Sequence, residues 1–319
     1  MKKILLILTI ILILVIPFLI DREYKEETFF SMDTVISVKI KGDGKLLGKT
    51  KNIVEELHNT YNAYDENSEI AKLNEQKTAE VKNTEIYLKA KEFFEATEGC
   101  FDPTVKPLTD LWNINGETPK VPKEEQILQA LETVNGENLK LEESAELKNG
   151  ASIDLGGIAK GYATDKIVEM LKKEGAKEFV LNLGGNVYAF SENKKLSVGI
   201  QEPFSARGEL LFTIELDDGA VVSSGTYERY FEEDGKVYHH IFDTKTGYPT
   251  QNGISQVTIV GKDSTMCDAF STAILVGGEE LALKLKEKYD FEYIILCEKT
   301  LIKSNGVEIY KLKDGYSVK

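Results

Sequence analysis

The sequence predicts an α+β protein: mixed, largely antiparallel sheets packed with helices, preceded by an N-terminal membrane-anchor helix. Three observations carry this. Stretches with apolar residues at helical spacing recur along the chain, as in Leu47, Ile53, Val54, Leu57 and Tyr61. Between Val187 and Thr258 they give way to short alternating segments joined by turn residues, namely Asn193-Lys194, Asp217-Asp218-Gly219, Glu233-Asp234-Gly235 and Thr246-Gly247. Residues 4–20 are an unbroken, almost wholly apolar run.

That run follows Lys2 and Lys3 and precedes Asp21. It is at the short end of a membrane span, shows no small-x-small cleavage site, and no cysteine occurs before Cys100 to receive a lipid. The expectation is an uncleaved anchor over residues 1–21, its lysines cytoplasmic, and one domain over residues 22–319 outside the cell membrane.

Residues 22–27 read as a charged connector and Val35 to Lys41 as a strand, its Ile36, Val38 and Ile40 on one face. After the Gly42-Asp43-Gly44 turn a helix runs from Leu46 towards Tyr64, and a short one follows Ser68 as N-cap. Ile86 to Thr97 is a third helix, closed at Gly99. Cys100 to Trp112 holds two prolines and reads as extended or turn-like, residues 113–121 as a polar loop, and Pro122 opens a helix to about Leu131. Short strands lead to Ile153, and a helix starts near Ile158. Glu178 to Leu183 is an apolar run ending in paired glycines. Ser264 to Leu275 and Leu281 to Lys288 are two further helices, and Phe291 to Leu312 is strand-like.

The chain is 42% hydrophobic with formal net charge −14. Such an acidic protein is a poor partner for nucleic acid, whose binding rests on Lys and Arg neutralising phosphates. A phosphate ligand would need a metal or backbone dipoles to offset the repulsion. Cys100, Cys267 and Cys297 have no metal-type spacing and read as buried thiols.

Three constellations could carry chemistry. In residues 152–165 an apolar run meets Gly156 and Gly157 at a helix start, flanked by the acceptor Asp154 and the cation Lys160, a geometry suited to phosphate. His239 and His240, two of the chain's three histidines, precede Asp243 and a Thr246-Gly247 turn. Adjacent strand residues face opposite sides, so only one of the pair can serve a given site as proton carrier. Asp268 and Thr272 share a helix face and could both approach one hard cation. Each has a plainer reading as turn, exposed histidine or helix cap.

Together with Met32-Asp33-Thr34, Tyr64, Ser68-Glu69-Ile70, Phe101-Asp102-Pro103, Asn182 to Asn186 and Ser224-Gly225, these segments resemble the FAD:protein FMN transferases, the ApbE-like flavin transferases, over about residues 28–310. The resemblance implies an extracytoplasmic α+β enzyme that splits FAD and attaches FMN, through its phosphate, to a Thr or Ser hydroxyl of an exported or membrane redox protein, releasing AMP. It implies Mg²⁺ held by Asp268, Thr272 and the Gly157 carbonyl. Met32, Tyr64, Phe101, Asp102, Asp154 and Lys160 would line the FAD site, with His240 and Ile241 close by. Asp33 stands where relatives usually carry glycine, and Thr244 where they often carry proline. His240 is the expected base, with Asp243 as its orienting partner. The rival readings are an FAD pyrophosphatase, with water as attacker, and an exported flavin-binding protein without catalysis.

Overall fold

The computed structural model describes residues 23–319, so the expected anchor at residues 4–20 lies outside the described residues. Among the described residues, no helix is long and apolar enough to cross a membrane.

Nine strands form the main sheet, and their spatial order follows the chain: Tyr24–Ser31, Thr34–Lys41, Glu178–Leu183, Asn186–Ser191, Asp218–Gly225, Ile254–Gly261, Phe291–Cys297, Thr300–Lys303 and Ser317–Val318. All neighbours are antiparallel except the last pair. Two tight hairpins turn at Met32-Asp33, with φ of 51° and 55°, and at Gly184-Gly185, with φ of 60° and 90°. Both need a left-handed backbone at both central residues, which glycine supplies freely and Met32-Asp33 adopt at some cost.

One face of the sheet carries the main core. Ile36, Val38, Leu181, Val222 and Ile259 pack there against Val54, Phe93, Ile167, Phe270 and Ile274 of the helices Lys45–Tyr61, Glu85–Ala96, Ala159–Lys173 and Ser264–Lys286. The other face, with Ala189, Val221 and Ile294, is covered by the hairpin Leu196–Gln201/Leu210–Leu216. A third cluster surrounds Trp112, whose indole N–H donates to the Gly247 carbonyl at 2.9 Å.

Several expectations are corrected. The described part of the expected connector, residues 23–27, is not one: Tyr24–Ser31 is an edge strand in full register with Thr34–Lys41. Its charges hid the alternation, as is usual for edges that must resist further pairing. Lys106–Trp112 is a helix with proline in its first turn, where the missing N–H costs nothing. The run into Gly156 is no strand; it makes only an isolated parallel bridge, Val105 to Ser152. Beyond Lys303 the chain is mostly irregular. Ser68 does cap the helix Glu69–Gln76, accepting from Ala71 N at 2.9 Å. The two C-terminal helices meet at Gly278, whose φ of 72° and ψ of −167° break the helical path. The three cysteines are free thiols.

Candidate active site

The site forms where the N-terminus of the helix Ala159–Lys173 crosses the first turns of Ser264–Lys286. Gly161 permits the crossing: a Cβ there would lie 2.3 Å from the Ser264 carbonyl oxygen and 2.7 Å from Thr265 Cα. Asp165, one turn on, accepts from the backbone N–H groups of Ser264 and Thr265 at 2.8 and 2.9 Å and caps the second helix. Burial raises its pKa to about 6.

Asp268 is thereby held against the first helix, only 3% exposed. Its Oδ2 accepts from Gly161 N at 2.9 Å, and the Lys160 ammonium stands 3.7 Å from Oδ1. Burial pushes the Asp268 pKa up; Lys160 and the Gly161 N–H pull it down. Asn186, fully buried after the Gly184-Gly185 turn, has its Oδ1 engaged by Ser264 Oγ at 2.7 Å, and its side chain stands beside the Asp268 carboxylate. One helical turn beyond Asp268, Thr272 Oγ1 lies 3.3 Å from Ser224 Oγ at the end of a sheet strand.

On the other side, Lys160 Nζ donates to the Gly156 carbonyl at 3.3 Å. Asp154 accepts from Gly156 N at 2.8 Å and, through its other oxygen, from the Tyr64 hydroxyl at 3.3 Å. Tyr64 is largely exposed, with Lys106 Nζ 4.4 Å from its ring centre. Phe101 is buried beneath the turn, and a Cβ at Gly157 would come within 3.0 Å of its ring. Contacts therefore run continuously from Tyr64 through Asp154 and Lys160 to Asp268.

The histidine pair divides as the strand geometry requires. His239 is buried, with Nε2 donating to the Thr250 carbonyl at 2.8 Å and Nδ1 accepting from Ile241 N. His240 Nδ1 lies 3.3 Å from the Arg229 carbonyl, which can only accept. The proton therefore sits on Nδ1, and Nε2 keeps its lone pair. Burial, then the Arg229 charge, lowers the His240 pKa to about 3.

Not every expected residue joins this group through its side chain. Asp243 makes no hydrogen bond to His240; its Oδ1 accepts from Lys245 N at 2.9 Å in the following turn. The orienting partner of His240 is instead the Arg229 carbonyl. The Asp102 carboxylate is turned into the fold, accepting from Thr104 N, Thr104 Oγ1 and Gly136 N. Ile241 is buried in the main core. Met32 packs against that core from its hairpin, and Arg229 donates to the neighbouring Asp33 carbonyl at 3.3 Å.

Sequence reasoning gave no role to three participants. Asn186, the last residue of the Asn182 to Asn186 motif, and Arg229 are described above. The third is Glu228, whose Oε1 would lie 3.8 Å from a Cβ at Gly185, with Lys160, Arg229 and Asp268 as charged neighbours. Surrounding protein raises its pKa to about 7. The Ser224-Gly225 motif four residues earlier was the one available signal.

An α+β scaffold that gathers oxygen donors and basic side chains around a helix crossing beside a neutral histidine belongs to the class of proteins that handle phosphorylated ligands. The comparisons with known proteins narrow this class. The model of the ApbE family matches residues 32–295, and the chain belongs to that family. It is 32% identical over 229 residues to a FAD:protein FMN transferase of Klebsiella pneumoniae, covering 69% of this chain and 72% of the relative. Its identity to the FAD:protein FMN transferase of Haemophilus influenzae is also 32%, over 83% and 84% of the two chains. The solved ApbE protein of Thermotoga maritima superposes with a TM-score of 0.80 at 31% identity, covering 91% of this chain and 97% of that one. The flavinyl transferase ApbE of Pseudomonas stutzeri, at 24% identity and a TM-score of 0.78, shares the fold.

Proposed function

We propose that this protein is an FAD:protein FMN transferase, which cleaves FAD and joins FMN through its phosphate to a Thr or Ser hydroxyl of an exported or membrane redox protein, releasing AMP. Supporting this reading are a buried carboxylate and the lysine ammonium paired with it at one helix crossing, and a histidine with an available lone pair that feels the same lysine's charge. The first two suit a diphosphate with its cation, the third a hydroxyl about to lose its proton.

The donor chemistry favours Mg²⁺ as the cation. Among the described residues no three His, Cys, Asp or Glu side chains converge, so a bound ion would draw on Asp268 with the Thr272 hydroxyl and the Gly157 carbonyl and not on a cluster of carboxylates. An all-oxygen set with so few carboxylates leaves positions for water and phosphate oxygens, the usual arrangement for Mg²⁺ at a nucleotide. The buried Asp268 carboxylate, offset by the Gly161 N–H and a lysine at 3.7 Å, suits that role. When bound, the ion neutralises charge on the diphosphate and on the departing AMP.

The chain's own residues supply the rest. The Lys160 ammonium turns from Asp268 to a phosphate oxygen. Tyr64 stands at the rim beside Asp154, positioned to meet the flavin or adenine ring. The acceptor hydroxyl oxygen attacks the phosphorus on the FMN side, its proton passes to His240 Nε2, and the anhydride P–O bond breaks with its electron pair leaving on AMP. His240 enters the step neutral with its Nε2 lone pair available, and the negative charge of a bound diphosphate would oppose the burial that lowers its pKa and so strengthen it as a base.

The apolar segment at residues 4–20 supports a cell-membrane location with the catalytic domain outside. The deciding experiment incubates the protein with FAD, Mg²⁺ and membrane extract, then weighs labelled proteins for an added FMN. Free FMN and AMP with no labelled protein would replace transfer with hydrolysis.

A further inference from the structure

The Tyr64 ring is 59% exposed at the rim of the site, yet it is held at two points. Its hydroxyl donates to Asp154 Oδ2 at 3.3 Å, and Lys106 Nζ stands over one face, 4.4 Å from the ring centre. These two holds are tied to each other. Asp154 N donates to the Pro103 carbonyl at 2.8 Å, and Val105, next to Lys106, bridges to Ser152. The loop that carries Tyr64 is closed by the residue's own N–H, which donates to Asn62 Oδ1 at 3.0 Å. Among the described residues, Lys106 is the only ring or cation contact that Tyr64 makes, so the second face of the ring is open.

Lys106 is itself set in place. Its side chain is only 14% exposed, unusual for a lysine, whose ammonium ordinarily reaches water. Nζ donates to both Asp110 oxygens, at 2.7 and 2.8 Å. The pair runs against its helix. Lys106 opens the helix Lys106–Trp112 and Asp110 lies in its last turn, whereas a helix is stabilised by acids at its start and bases at its end. A pair in that order adds little to the helix. Its effect is to hold the ammonium where it meets Tyr64.

We propose that Lys106 and Asp110 are a positioning pair that fixes Tyr64 as a one-faced stacking platform for an aromatic ring of FAD. The ammonium attracts the π face and the Asp154 carboxylate holds the hydroxyl, so the ring is in place before the ligand arrives and loses little freedom on binding. FAD brings two flat ring systems, isoalloxazine and adenine, and either stacks on an open tyrosine face. The same ammonium adds positive charge beside a ligand whose diphosphate is anionic, in a chain of formal net charge −14. The pair touches no reacting atom, so it acts on FAD affinity and not on the transfer step. The inference rests on FAD as the ligand of this site.

The test titrates FAD, FMN and AMP separately into wild type, Lys106→Met, Asp110→Asn and Lys106→Arg by calorimetry, and follows flavin labelling of membrane extract against FAD concentration. Lys106→Met, which keeps an apolar stem and removes the charge, should weaken FAD binding about fivefold, and Asp110→Asn about twofold. Lys106→Arg, whose guanidinium can stack on the ring and fork onto Asp110, should bind as wild type and separates loss of the platform from loss of folding. In Lys106→Met, half-saturating FAD for labelling should rise by the same factor, with the labelling rate at saturating FAD unchanged. The fragment that shares the loss, FMN or AMP, names the ring that stacks on Tyr64. Wild-type FAD affinity in Lys106→Met, an equal loss in Lys106→Arg, or a loss shared by neither fragment would overturn the platform. So would an unchanged half-saturating concentration with a slower saturated rate. FAD bound by wild type with no protein labelled would overturn the transfer reading alone, since the binding titrations decide the platform by themselves. Wild type that binds no FAD would overturn both.

Discussion

The same chemical change, glycine to alanine, should have opposite effects at two helix positions. Gly48 lies exposed within the helix Lys45–Tyr61, and a Cβ there would meet nothing within 4 Å. Alanine should stabilise the protein by about 0.5–1 kcal/mol, because glycine loses more backbone freedom on folding. Gly161 is also helical, so the same gain is available, but its Cβ would lie 2.3 Å from the Ser264 carbonyl. Relief needs roughly an ångström of separation between two helices, and the obstructing atoms are backbone, which cannot rotate away. Overpacking of this kind costs about 1–3 kcal/mol or more, and rigid backbone neighbours put the value at the upper end. With the helical gain subtracted, Gly161→Ala should lose about 2 kcal/mol, or about 3 °C in Tm for a chain of this size, while Gly48→Ala should gain about 1 °C. Scanning calorimetry on both variants reads the difference directly. The displaced Gly161 N–H also holds Asp268, so transfer should fall in Gly161→Ala even well below its melting temperature. A Gly161→Ala protein that melts at or above wild type would refute the reasoning that this glycine sets the crossing.

Three further outcomes follow from the site. His240→Ala should lose transfer while FAD affinity holds, and labelling that proceeds at the wild-type rate at every pH would remove His240 as base. Lys160→Met should tighten binding of Mn²⁺ alone to the FAD-free protein about fivefold in a calorimetric titration, since the ammonium no longer competes at Asp268, whereas Asp268→Asn should abolish that binding; equal or weaker Mn²⁺ binding by Lys160→Met contradicts the competition. Glu228 is the pH probe: its folded pKa of about 7 lies above its ordinary value, so the folded state holds the proton more tightly and the contribution fades as pH rises through 7. Glu228→Gln should therefore stabilise the protein at pH 8 relative to wild type more than at pH 4, and urea unfolding at the two pH values checks the sign.

How much of this was legible in the sequence depends on whether the signal was local. The Ser68 cap, the Asp234-Gly235 and Gly184-Gly185 turns and the break between the C-terminal helices rest on short-range chemistry, and all can be read directly. The edge strand Tyr24–Ser31 could not, because its charges serve to prevent pairing with other chains and so mask its period. The same division runs through the site. Asp154, Lys160 and Asp268 announce themselves by residue type within motifs, whereas Asn186 and Arg229 act through an amide and a main-chain carbonyl that only the fold brings near Asp268 and His240. The expected His240–Asp243 pair shows the limit. Three residues along an irregular loop do not fix a direction, and the Asp243 carboxylate closes its own turn on Lys245 N. A backbone carbonyl then does the orienting, and it has no side-chain identity for a sequence to display. Substitution of Arg229 should accordingly leave the His240 tautomer intact, because the atom that sets it belongs to the main chain.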